Sequence, residues 1–93
     1  MTIALQFPTA LREYCGGVAD LSLSAATVRA ALDQLEQDQP ALYRCICDET
    51  GAVRRHLNLF VNSNFVHTRT PGGLEVPLEP GDVLTVWTAV SGG

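Results

Sequence analysis

The chain ends on Gly92-Gly93, directly after an apolar, β-rich run from Val83 to Val90. Two glycines bring no side-chain chemistry, so the reactive group offered by this ending is the α-carboxylate of Gly93. Glycine has no Cβ and lets other groups approach its backbone closely. Extended backbone spans at most ~3.3–3.6 Å per residue, so Val90-Ser91-Gly92-Gly93 reaches roughly 13 Å beyond a folded body. That reach suits delivery of a carboxylate down a narrow channel into another protein's active site. Doublets also occur at Gly16-Gly17 and Gly72-Gly73, where they read as turns. A frayed end or a cloning scar is the plain alternative for the terminal pair. The tail therefore gains weight only from the architecture in front of it.

Other residue types that do chemistry are sparse. Cys15, Cys45 and Cys47 form an odd set, and Cys45-Ile46-Cys47 is expected to place two thiols on one face of a strand. A zinc site normally needs four ligands, and His56 and His67 are not spaced to complete one. Buried or half-buried thiols are the expectation, with a redox pair a distant second and no metal assigned. Neither histidine has a Ser, Cys or Asp partner at a recognisable spacing, so neither is given a catalytic role. Arg54-Arg55-His56 would steer a carboxylate-bearing or phosphorylated partner, although an exposed charge pair is more often solvated surface. No Gly-Lys phosphate loop is present, so any ATP would be bound by a partner.

All six basic residues are arginine: Arg12, Arg29, Arg44, Arg54, Arg55 and Arg69. A lysine amine beside an activated C-terminus would consume it, so a chain without lysine is protected. A genome-wide preference for arginine explains the same fact equally well. The net charge of −4 and pI of about 4.9 leave no positive footprint for nucleic acid. Ninety-three residues, 46% of them hydrophobic with mean hydropathy +0.13, suit one soluble domain. No apolar run approaches the ~20 residues that cross a bilayer. The start, Met1 to Pro8, has no basic segment of the secretory kind, and a cytoplasmic location is expected.

The elements that must position the tail follow from periodicity. Thr2 to Phe7 alternates with Ile3, Leu5 and Phe7 on one face, a half-buried strand that Pro8 ends. Ala10 to Cys15 reads as a loop or helical turn reversed by Gly16-Gly17, and Val18 to Leu23 as a second strand with Leu21 and Leu23 inward. Thr27 to Asp38 is the long helical pattern, N-capped by Thr27 with Ser24 the competing choice, and Val28, Ala31, Leu32 and Leu35 are its stripe. Pro40 is expected to end it. Ala41 to Ile46 reads as irregular or 3₁₀, its Leu42 and Ile46 plugging the core, and Asp48 to Gly51 as a turn. Leu57 to Asn62 is a strand with Leu57, Leu59 and Val61 toward the helix. Ser63-Asn64 turns into a short strand, Phe65 to His67. In the last strand Leu84 and Val86 are inward, and Val83, Thr85 and Trp87 outward.

The order β-β-α-β-β-β implies an α+β fold of the β-grasp (ubiquitin-like) kind. A mixed sheet of four to five strands carries one main helix on one face, with the first and last strands parallel and central. Residues 1–90 would form the domain and 91–93 a Ser-Gly-Gly tail.

With that order in place, the chain resembles the ubiquitin-like sulfur carriers of the MoaD/ThiS family over nearly its whole length. The resemblance is carried by Phe7-Pro8-Thr9-Ala10-Leu11-Arg12, Thr27 to Leu32, Leu59-Phe60-Val61-Asn62, Pro77 to Asp82, and Ala89-Val90-Ser91-Gly92-Gly93. Length and the first-strand motif are most similar to the CysO-like branch. Trp87 and Ser91 depart from the commoner residues at their positions. The resemblance implies that Gly93 is adenylated by an ATP-dependent activating enzyme and converted to a thiocarboxylate, with Gly92 letting the tail enter tunnels. It implies a sulfur-accepting synthase as second partner, in cysteine or another sulfur-containing biosynthesis, and, more remotely, a metalloprotease that releases product or tail. The chain itself is then a carrier and not an enzyme, with no bound cofactor.

For docking, the fold makes the third and last strands neighbours. Phe60 and Trp87 are therefore expected side by side on the open face of the sheet, extended by Phe65, with Val90 and Ser91 as the stem of the tail. Grouped exposed aromatics suit a partner surface, whereas single exposed apolar residues need no explanation. Three other functions use the same elements: a ubiquitin-like modifier attached to lysines through Gly93, the small subunit of a molybdopterin synthase, and a β-grasp ferredoxin. The last is disfavoured because three cysteines cannot supply four cluster ligands.

Overall fold

Ile3–Gln6 forms β1, and its alternation sends Ile3 and Leu5 into the core while Gln6 stays exposed. The computed structural model describes residues 2–18 and 20–88, with Cys15 by its backbone alone. A 3₁₀ segment, Thr9–Cys15, follows and closes on Gly16 in the left-handed region (φ 78°), a conformation that glycine reaches without the Cβ penalty. Strand β2, Asp20–Leu23, then pairs antiparallel with β1. Leu23 is buried and Leu21 packs at the margin of the core.

Helix α1, Val28–Asp38, starts where the Thr27 Oγ1 accepts the Ala30 N–H at 3.1 Å. This side-chain cap satisfies one of the donors that a helix start leaves unpaired. Val28, Ala31, Leu32 and Leu35 are all buried, each at most 1% exposed. The helix start is also tied to a later segment, for Val28 N–H donates to Val76 O and Leu78 N–H to Ala26 O.

Pro40 does more than end α1. It opens a second α-helix, α2, Pro40–Ile46, at that helix's first turn. Proline is favoured there because its missing N–H would have had no partner and its φ is already helical. The segment is therefore helical and not irregular, although Leu42 and Ile46 do fill the core. The same helix overturns the expected strand of thiols. Residues two apart on a helix do not share a face, and Cys47 is buried beyond the helix end while Cys45 is half-buried.

Strands β3, Leu57–Val61, and β4, Asn64–Val66, form the next hairpin. The turn falls one residue earlier than expected, at Asn62-Ser63, with Asn62 at φ 56°. Asn62 is thus a turn residue and not part of the strand. Both ends of its side-chain amide are engaged: Oδ1 accepts the Val83 N–H at 3.0 Å and Nδ2 donates to Asp82 Oδ1 at 3.2 Å. Asparagine tolerates this backbone region because its short polar side chain bonds locally.

The final strand, β5, Val83–Thr88, lies at the centre of a five-stranded sheet of order β2-β1-β5-β3-β4. It is parallel to β1 and antiparallel to β3. Leu84 and Val86 are buried against the helices, and Val83, Thr85 and Trp87 face away. The α+β roll with a mixed five-stranded sheet is as the element order implies, with α2 and two 3₁₀ segments added to the main helix. Val90, Ser91, Gly92, Gly93 and the division between residues 90 and 91 lie outside the described residues.

Candidate functional site

The side chains that alternate away from the helices make the open face of the sheet. On β3 these are Asn58 and Phe60, on β4 Phe65, and on β5 Val83, Thr85 and Trp87. Trp87 is 58% exposed and Phe65 48%, while Phe60 is half-buried. Two large aromatic side chains are thus left in water on one face.

Register decides which rings meet. Phe60 stands directly opposite Phe65, with ring centroids 5.6 Å apart at an interplanar angle of 72°. Phe65 also meets His67 edge-on, centroids 5.0 Å apart at 82°. Trp87 stands opposite Asn58, and Thr85 opposite Phe60. The expected pairing of Phe60 with Trp87 is therefore diagonal, two residues out of step, because β3 and β5 run antiparallel in that register. His67 was missed as a member of the group. The signal was available, since residues two apart on an extended segment share a face.

Trp87 instead borders a separate cleft of about 290 Å³ that includes Phe7, Pro8, Arg12 and Thr85. The Phe7-Pro8 end of β1 and the end of β5 are thus brought together beside the point from which residues 89–93 continue. Arg12 supplies positive charge in this cleft and Asp20 negative.

The thiols are placed as quiet groups. Burial pushes the Cys47 thiol up to about 11, against the opposing effect of its hydrogen bond with the Tyr43 hydroxyl. Burial likewise raises Tyr43 to about 12, with the neighbouring Cys47 adding to it. Cys45 is raised too, by burial first. A nucleophilic or metal-binding cysteine needs the thiolate, and these surroundings hold the proton on. Among the described residues, no group of three or more His, Cys, Asp or Glu could hold a metal ion, and no helix is long and apolar enough to cross a membrane.

Arg54, Arg55 and His56 do not act as one unit. Arg54 Nε donates to the Arg44 carbonyl at 2.9 Å, which turns it toward α2, whereas Arg55 and His56 are exposed.

Comparison with known proteins agrees with the fold of the described residues. The ThiS family model matches residues 5–93. A sulfur carrier protein CysO of Mycobacterium bovis is 33% identical over 95 residues, covering 100% of both chains. Among solved structures, a chain of the Amycolatopsis orientalis BexX/CysO complex superposes with a TM-score of 0.81 at 33% identity, covering 98% of this chain and 99% of that one. SAMP1 of Haloferax volcanii gives a TM-score of 0.78 at 26% identity, covering 100% of both. The family match runs from Leu5 in β1 through the open aromatic face and β5 to residue 93, and on that extent the chain belongs to the ThiS family.

Proposed function

We propose that this chain is a sulfur carrier, a protein cosubstrate that works in the cytoplasm through the carboxylate of Gly93. The observation that carries the reading is identity of 33% to a curated sulfur carrier over the full length of both chains, with a family match that runs through residue 93. A carboxylate is a poor electrophile until one oxygen becomes a leaving group. In the proposed cycle the Gly93 carboxylate attacks the α-phosphorus of ATP bound by a partner enzyme, and pyrophosphate leaves. A sulfide equivalent then attacks the acyl carbon of the adenylate and AMP departs, which leaves a thiocarboxylate. Sulfur passes from there to an acceptor bound by a second partner, a synthase.

In this cycle the folded body presents the tail and docks the partners. The open face offers Phe60, Phe65 and Trp87 for docking, while Val90 and Ser91 form the stem and Gly92 lets the end enter a narrow site. All of the chemistry at ATP belongs to the adenylating partner.

The likeness to SAMP1, small archaeal modifier protein 1, supports a second reading. In it a lysine amine of another protein captures the same adenylate and an amide forms through Gly93.

Intact-protein mass spectrometry tests both. The chain is incubated with ATP, a sulfide source and the adenylating enzyme of the same organism. Exchange of one oxygen for sulfur at Gly93, lost when Gly93 is deleted although the protein still folds, is the expected result. Attachment to protein lysines without sulfur gain would replace the carrier with the modifier.

A further inference from the structure

One corner of the surface gathers basic side chains with no carboxylate among the described residues. Arg55, His67 and Arg69, with Asn58, Thr68 and Thr70, line a shallow cleft of about 190 Å³ that Phe65 also borders. No Asp or Glu lines it, although the chain has ten acidic residues to six basic ones. The contrast with other clefts is sharp. The cleft between α1, α2 and the Asp48–Gly51 turn sets Arg29, Arg44 and Arg54 against Asp33, Glu36, Asp48 and Glu49. The clefts under Trp87 and beside Asn64 contain Asp20, and Glu79 with Asp82, respectively.

The corner is also built to hold its shape. Arg69 Nη2 donates to the Val53 carbonyl at 2.9 Å, and Thr70 Oγ1 and Thr70 N–H both reach the His67 carbonyl. The His67 ring is braced edge-on by Phe65. Gly73 packs so closely on the His67 carbonyl that a side chain there would overlap it. A guanidinium presents five N–H donors in a fixed fork that matches a carboxylate. One donor of Arg69 goes to Val53, which orients the remainder.

We propose that Arg55, His67 and Arg69 seat an acidic segment of the adenylating partner, in the same encounter that covers Phe60 and Phe65. The proposal rests on the carrier reading for the identity of that partner. Two observations favour a carboxylate-bearing protein. Phe65 borders both the cleft and the aromatic pair, so one partner covers both. The single-sign lining also complements an acidic surface, which steers association and fixes orientation more than it adds affinity. A nucleic acid needs a much broader positive footprint than two arginines on a chain of net charge −4 provide.

The test is association of the full chain with the adenylating enzyme of the same organism, followed by biolayer interferometry at about 50 and about 300 mM salt, a range that shortens the screening length. Arg55 is the residue to change, because it is exposed and, unlike Arg69, shows no hydrogen bond from its side chain to a backbone carbonyl among the described residues. Arg55→Glu is expected to slow association about tenfold at the lower salt, with the gap narrowing at the higher. Arg55→Lys should stay within a few-fold of the parent, and circular dichroism should show both variants folded. Equal association of Arg55→Glu and the parent, or no association of the parent at all, overturns the proposal. So does Arg55-dependent binding of a single-stranded RNA oligomer, which would make the corner a phosphate site. Sulfur gain is followed in parallel by mass. Gain with Arg55-independent binding removes only the corner, whereas Arg55-dependent binding without gain removes only the carrier reading.

Discussion

Phe60 and Phe65 face each other across the β3–β4 pair, edge to face with their ring centroids 5.6 Å apart. Rings in this arrangement place the positive edge of one on the negative face of the other. The pair therefore braces the short edge strand and at the same time forms the middle of the proposed docking surface.

A double-mutant cycle separates bracing from simple burial. Phe60→Ala and Phe65→Ala are expected to couple by about 0.5–1.5 kcal/mol in urea unfolding. Additive effects would show that the rings do not meet in solution.

Trp87 is the more exposed anchor and stands opposite Asn58. Trp87→Ser should change stability by no more than about 0.5 kcal/mol, as exposed substitutions usually do. Combined with Phe60→Ser it should weaken adenylating-partner binding by about thirtyfold, the loss expected of a hot spot. Calorimetric titration gives the affinity, and an unchanged value removes these residues from the interface.

Cys47 makes stability depend on alkaline pH. The residue is 1% exposed, and burial raises its thiol from 9.0 to about 11 in the folded chain. The unfolded chain loses this proton first, so the stabilisation is complete below about pH 9 and is lost as pH rises to about 11. Two units correspond to on the order of 2–3 kcal/mol. Tyr43, raised from 10.0 to about 12, extends the loss in the same direction. Urea unfolding at several pH values across that window should show the fall, and Cys47→Ala should flatten its lower part. A parent stability that holds constant through the window contradicts the burial of both groups.

Gly73→Ala tests the packing behind His67. The new Cβ would meet the His67 carbonyl, which is backbone and cannot swing aside. Overpacking of this kind costs about 1–3 kcal/mol, and the melting temperature should fall accordingly. Gly72→Ala is a different case, since nothing lies within 4 Å and only its φ of 75° resists. Equal stability of Gly73→Ala and the parent would mean that the β4 exit follows another path.

Much of the arrangement was legible because it depends on local period. Ile3, Leu5 and Phe7 alternate, Val28, Ala31, Leu32 and Leu35 recur at helical spacing, and Leu84 and Val86 alternate again. All of them are buried. Thr27 announced its cap in the same local way. What local reading missed turned on choices between near-equal options. Proline stops one helix and starts another with equal ease, so Pro40 could not reveal that Ala41 to Ile46 continues as α2. Once that run became helical, the expected shared face of Cys45 and Cys47 disappeared. Asn62 sits in the turn and not the strand because its left-handed conformation is held by Asp82 and Val83, about twenty residues further on, where local period does not reach.

The sequence by itself determined which residues of the strands and the main helix face the core, the order of those strands and that helix, and the family resemblance that ends on Gly92-Gly93. Each of these lies in spacings along one segment or in residue identity. Tertiary structure alone decided register: Trp87 opposite Asn58, Phe60 opposite Phe65, and Arg55, His67 and Arg69 around one cleft. Pairing between separate strands is set by how their buried faces and turns fit together. No periodicity within a strand records which residue of its neighbour lies across from it.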